Sequence, residues 1–227
     1  MRDRAARVAI VDSGTGNLHN VWRACAHVGL DSHITANPAD VLSAAAVILP
    51  GVGAMPESMH ALRESGLADA LRTVATRGTP LLGVCLGLQM LMAHGTEFTS
   101  HDGLGIFPGR VERFPTRDLD GNVLRVPHIG WTPIAAPDDR TDAWDDTLLS
   151  TTPAGTSMYF VHSYRVIPDD TGIVAATAGY RGVEFVAAVA RDNIFACQFH
   201  PERSGPAGLE IYRQFAARVA ASTAETV

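Results

Sequence analysis

The chain has 227 residues, 46% of them hydrophobic, with a formal net charge of −6 and three cysteines. That apolar share excludes a disordered chain, and the acidic balance leaves no basic footprint for nucleic acid. The cysteines form no C-x-x-C pair and no disulfide framework, and no apolar stretch is long enough for a membrane. Residues 1–4 lead into a strand without a signal-peptide core, so a cytoplasmic protein is expected.

Residues 7–12 form an almost continuous apolar run, the pattern of a central parallel strand. Gly14-Thr15-Gly16-Asn17-Leu18 follows, then a helical stretch through Trp22, Cys25 and Val28 that stops at Gly29. A dinucleotide-binding loop does not fit: its third glycine would fall at His19, and no acidic residue closes a second strand. Residues 33–35 and 46–49 read as strands, the second buried and ending at Pro50-Gly51-Val52-Gly53. This loop lies at the carboxyl end of its strand, where open α/β sheets bind ligands. It is either an ordinary turn or one wall of an oxyanion hole supplied by the N–H of Val52 or Gly53. Residues 55–77 read as helix, started by Pro56 and Glu57 and interrupted near Gly66.

Thr79-Pro80-Leu81-Leu82 then enters Gly83-Val84-Cys85-Leu86-Gly87-Leu88-Gln89, with residues 90–94 continuing as helix. A cysteine between small residues, after a strand and before a helix, has the pattern of a nucleophile elbow. There the helix N-terminus favours a thiolate, and the N–H of Leu86 is placed to donate to an oxyanion. A small buried hydrophobe is the competing reading of Cys85.

Residues 106–114 and 123–126 alternate like half-exposed strands around the turn Asp120-Gly121-Asn122, and Pro127-His128-Ile129-Gly130-Trp131 follows. Residues 138–146 read as an acidic, solvated connection. Residues 158–164 and 183–190 are strands, and Arg191-Asp192-Asn193 turns into a strand that ends at His200-Pro201-Glu202. There His200 can serve as the base and Glu202 can reach back to orient it. Residues 205–221 close the chain as an amphipathic helix with Leu209, Tyr212, Phe215 and Val219 on one face. Alternating strands and helices first, hairpins later, imply an α/β fold with one open mixed sheet flanked by helices. No repeat or linker divides residues 1–227, so a single domain is expected.

The elbow, the His200-Pro201-Glu202 segment and the Pro50–Gly53 loop together resemble class I, triad-type glutamine amidotransferases, whose fold is flavodoxin-like. Asp12-Ser13-Gly14-Thr15-Gly16-Asn17-Leu18, the Pro127–Trp131 block, Tyr159-Phe160-Val161-His162-Ser163-Tyr164 and Phe199-His200-Pro201-Glu202-Arg203-Ser204-Gly205 narrow the resemblance. They are similar to the glutaminase subunits of imidazole glycerol phosphate synthase, in histidine biosynthesis. The resemblance implies a Cys85–His200–Glu202 triad that hydrolyses glutamine without cofactor or metal. It implies an oxyanion hole from Val52, Gly53 and Leu86, and a glutamine pocket with Gly51, Gln89, Ser163 and Tyr164. It implies a (β/α)8-barrel cyclase partner that receives ammonia through a protected channel. Asn17, Asn20, Trp131, Tyr159 and Arg203 are the residues expected to face that partner. Thr132 stands where many relatives carry asparagine. Other readings are a glutaminase of another synthase such as that of pyridoxal phosphate, a cysteine hydrolase acting alone, or a non-catalytic binding subunit.

Overall fold

The computed structural model describes residues 7–224, so the expectation about residues 1–4 lies outside it. Four apolar residues in a row need cover on both faces, and Val8–Val11 (β1) has it. Ser32–Thr35 (β2) pairs parallel on one side and Ala46–Gly51 (β3) on the other. Between them run Leu18–His27 (α1) and Pro38–Ser43 (α2), the latter capped by the Asn37 side chain, which accepts from the Ala39 N–H. Gly66, at φ +75°, separates Met55–Glu64 (α3) from Leu67–Thr76 (α4), as the interrupted helix of the sequence anticipates. Leu81–Cys85 (β4) follows, and Leu86–Leu91 (α5) starts on the next residue.

From here the chain departs from the expected helix through residue 94. Met92–Gly95 (β5) is a strand, with Met92 already extended at ψ 163°. The run from Leu86 to Met92 is buried all round, so no periodicity marks where helix gives way to strand. His101–Asp102 (β6) and Phe107–Arg113 (β7) come next. The expected strand over residues 123–126 does not form. Val123 makes one isolated bridge to Arg117, while the Asp118 carboxylate accepts from the N–H groups of Asp120 and Asn122 and closes the turn instead. Within residues 138–146, Ala143 and Trp144 are buried rather than solvated.

His128–Ala135 (β8) pairs with Ser157–His162 (β9), and the expected strand over residues 158–164 breaks at Ser163. The chain there leaves one sheet and enters another as Tyr164–Pro168 (β10). Val174–Tyr180 (β11), with its run of small residues, was not anticipated. Val183–Arg191 (β12) and Ile194–Cys197 (β13) form the expected hairpin, with Asp192 at φ +54° in the turn. Gly205–Ala224 (α6) ends the described chain.

The main sheet has nine strands in the order β2-β1-β3-β4-β13-β12-β11-β8-β9. Its first five strands are parallel and the rest antiparallel, a mixed sheet. A second sheet, β10-β7-β5-β6, stands beside it where a single sheet was expected. Strand alternation splits the core. Val8, Ile10, Ile48, Leu82 and Val84 pack with Ile211, Tyr212 and Phe215 of α6. Ala9, Val11, Val47, Leu49 and Leu81 pack with α3, α4, α5 and the small sheet.

Candidate active site

Cys85 ends β4 and caps α5 with φ +55° and ψ −106°, a backbone state that L residues rarely adopt. Its flanking glycines are required by the neighbours. A Cβ on Gly83 would lie 2.8 Å from the Ala196 Cβ, and one on Gly87 would lie 1.9 Å from the Leu49 carbonyl oxygen. The elbow therefore fits only where β3 and β13 crowd in on both sides of β4. One strand over, β13 is followed by His200, whose Nδ1 hydrogen-bonds Glu202 Oε1 at 2.8 Å with both side chains nearly sealed from solvent.

Burial by itself lowers the His200 pKa. The charge of Cys85, a hydrogen bond with it, and the Glu202 carboxylate together outweigh that and raise it from 6.5 to about 10. His200 Nε2 is buried and makes no conventional hydrogen bond, which leaves the Cys85 sulfur as its interaction. The site thus sets a histidine with a raised pKa directly against the Cys85 sulfur.

Cys85 and His200 open on a cavity of about 260 Å³ whose wall also includes Val52, Gly53, Leu86, Gln89, Ser163 and Tyr164. Gly53, at φ +90°, has the torsion that only a glycine holds without strain. Gly51 is not on the cavity wall. It pairs in register with Cys85, and a Cβ there would come within 3.0 Å of the Leu86 Cβ, so it acts as a spacer between β3 and α5. Gln89 is buried, donating to the Tyr164 carbonyl at 3.2 Å and to Gln198 Oε1 at 3.0 Å. The Tyr164 pKa is raised, by burial first and then by Glu97.

Sequence reasoning passed over Glu97, Val161 and His162, which also line the cavity. Glu97 Oε2 accepts from the Met55 N–H at 2.8 Å, at the start of α3, which holds the carboxylate at the rim. An acidic residue in a polar loop carries no local signal of this. The repeated pattern His128…His162, one histidine in each quoted block, was the available clue to a histidine pair.

The residues assigned to a partner face fall into two groups. Trp131 is 57% exposed, its ring 5.9 Å from that of Tyr159, and the Arg203 guanidinium stacks 4.2 Å from the Tyr159 ring. The Tyr159 carbonyl accepts from the His200 N–H at 2.9 Å, so this cluster backs His200. Asn17 is exposed at the start of α1, and Asn20 lines a shallow hollow that reaches Glu202. Among the described residues no three His, Cys, Asp or Glu side chains group as metal ligands.

The family model for "Glutamine amidotransferase class-I" matches residues 9–219. An "Imidazole glycerol phosphate synthase subunit HisH" from Geobacter metallireducens is 43% identical over 212 residues, covering 93% of this chain and 98% of the relative. One of the same name from Syntrophotalea carbinolica is 44% identical over 209 residues, covering 92% and 98%. Among solved structures, "Structure of PurLQS from Thermotoga maritima" superposes with a TM-score of 0.68 at 19% identity, covering 93% of this chain and 97% of that one. The glutaminase domain of Trypanosoma brucei CTPS gives 0.63 at 15% identity, covering 95% and 94%. The last two speak for the fold alone, an open mixed sheet flanked by helices. With an elbow cysteine, a paired histidine and glutamate, and a family match over nearly its whole length, this chain belongs to the class-I glutamine amidotransferases.

Proposed function

We propose that the chain is the glutaminase subunit of imidazole glycerol phosphate synthase, a single glutamine amidotransferase domain over residues 1–227. It hydrolyses glutamine to glutamate and ammonia for histidine biosynthesis. The observation that carries this reading is His200, held by Glu202 on one side and facing Cys85 on the other, on the wall of one cavity.

The Cys85 thiolate attacks the side-chain amide carbon of glutamine. The resulting oxyanion meets the N–H of Leu86 at the start of α5 and that of Val52 or Gly53, donors of a kind worth about 3–4 kcal/mol each. The His200 imidazolium gives its proton to the departing ammonia as the C–N bond breaks, leaving a glutamyl thioester and a neutral imidazole. That imidazole takes a proton from water, the hydroxide attacks the thioester, and glutamate leaves as the thiolate and imidazolium return. Glu202 fixes Nδ1 so that Nε2 does the proton transfers. The Glu97 carboxylate suits the ammonium of the glutamine, with Gln89, Ser163 and Tyr164 as the polar wall.

Ammonia released in water would be lost as ammonium, so a synthase needs it passed on directly. The relatives are named as subunits, and the (β/α)8-barrel cyclase is the partner this reading requires. It would join ammonia to a phosphoribulosyl-formimino nucleotide and release imidazole glycerol phosphate and AICAR. Trp131, Tyr159 and Arg203, with Asn17 and Asn20, form the face offered to it. Ile129, 60% exposed beside Trp131, extends that face. No helix among the described residues is long and apolar enough to cross a membrane. A reducing cytoplasm is the compartment that keeps the Cys85 sulfur unoxidised.

The test is glutamate release from glutamine, with and without the cyclase subunit and its nucleotide ligand, beside Cys85→Ala. Stimulation by the cyclase that the substitution abolishes is expected. Turnover indifferent to the cyclase would move the chain to another synthase, and no turnover in any mixture would revive a binding role.

A further inference from the structure

Behind the nucleophile, away from the cavity, lies the fully buried side chain of Gln198, whose Nε2 is 3.6 Å from Cys85 Sγ. An amide can turn either its N–H₂ or its oxygen toward a sulfur, and only the first supports a thiolate. Which one faces Cys85 is decided by a backbone carbonyl two steps away. The Tyr164 carbonyl can only accept, so Gln89 presents Nε2 to it at 3.2 Å. The same Nε2 donates its second proton to Gln198 at 3.0 Å, so the Gln198 oxygen must point there and its N–H₂ must point at Sγ.

The polarity also runs the other way. His162 Nδ1 lies 2.8 Å from the Tyr164 carbonyl and must carry the proton, leaving Nε2 as acceptor. His128 Nδ1, at 3.2 Å, must then donate to it, and His128 Nε2 accepts from the Thr132 hydroxyl at 2.9 Å. In this arrangement both imidazoles are neutral, the form that their burial favours. All five side chains are buried.

We propose that Gln198 is a further hydrogen-bond donor to the reacting sulfur, and that His162 and His128 are positioning residues that hold the Tyr164 carbonyl which orients it. The proposal rests on the reading of Cys85 as nucleophile. The other titratable groups near the sulfur are His200 and, on the cavity wall, His162, Glu97 and Tyr164, with Cys197 behind.

The experiment is the pH dependence of Cys85 alkylation by iodoacetamide, with the modified cysteine identified by peptide mapping; it needs no glutamine. Gln198→Leu is expected to move the midpoint up by about one pH unit. In the glutaminase assay it is expected to lower kcat about tenfold with little change in KM. An unmoved midpoint would reduce Gln198 to packing and overturn the proposal. His162→Leu is expected to shift the midpoint the same way. His162→Asn, whose amide can replace the Nδ1 proton, is expected to restore most of it; equal shifts in the two would remove the histidines from the scheme. Should Gln198→Leu not fold, the side-chain amide of Gln198 in the unaltered protein decides. Its proton and nitrogen shifts are expected to follow pH, and to stop doing so in Cys85→Ala; an indifferent amide overturns the donor. A shifted midpoint without any glutamate release would leave the donor standing and sink the glutaminase reading.

Discussion

At Cys85 a side chain is held at a positive φ that costs on the order of 1–3 kcal/mol, and the two strands crowding the elbow impose it. What is gained is a sulfur beside His200. Because Cys85 and Glu202 raise the His200 pKa against the opposing effect of burial, removing the sulfur has a defined sign. In Cys85→Ala the His200 imidazole is expected to titrate well below its value in the unaltered protein, read by NMR of the ring. An unchanged titration would mean that Glu202 alone sets it. The convergence of Cys85, His200 and Glu202 was legible because chemistry and chain geometry coincide there: a cysteine between glycines after an apolar strand, a histidine ending another. Gln89 was legible only through the family resemblance, since on its own it reads as a surface amide, yet it is buried. Glu97 left no trace, because its place depends on the α3 N-terminus 42 residues away.

Among the elements, β4 is constrained by the strand beside it and the helix that follows it. Gly83→Ala would set a methyl 2.8 Å from the Ala196 Cβ and 3.3 Å from the Gly87 carbonyl carbon. Overpacking of this kind costs about 1–3 kcal/mol, and urea unfolding is expected to show it. Ala196→Gly in the same chain is expected to return part of the loss, a coupling that independent sites would not show. Gly87→Ala has no such remedy, since the obstructing atom is the Leu49 carbonyl oxygen in β3, part of the backbone. In the first half β1, β3 and β4 could be read because each is a short run, mostly apolar, buried on both faces. In the second half the signal fails for a physical reason. A strand such as β11, with three alanines and a glycine among its seven residues, has little of the β-branched pattern. The boundary between β9 and β10 is set by which sheet each joins, which Ser163 does not announce.

For the whole molecule, three histidines set opposing limits on stability. His128 and His162 are held down from 6.5 to about 4 and about 3, each chiefly by burial. As pH falls below 6.5 the unfolded chain binds protons that the folded one refuses, so their contribution is full above 6.5 and is lost toward pH 3. His200 has the opposite sign. Its raised pKa contributes fully below 6.5, and the contribution is lost as pH rises through about 10. A urea midpoint measured against pH is expected to peak near neutrality. Cys85→Ala should flatten the alkaline limb and leave the acid limb in place; a limb that Cys85→Ala does not touch would place its origin elsewhere.

The break at Ser163 has a consequence at this scale too. Val161 and His162 belong to the large sheet and Tyr164 to the small one, yet all three wall the same cavity. On the proposed function, glutamine in this cavity would touch both sheets, which already share one core. By thermodynamic linkage its binding free energy is added to the cohesion of the sheets. A saturating glutamine concentration is then expected to slow amide exchange in the small sheet as well as the large one.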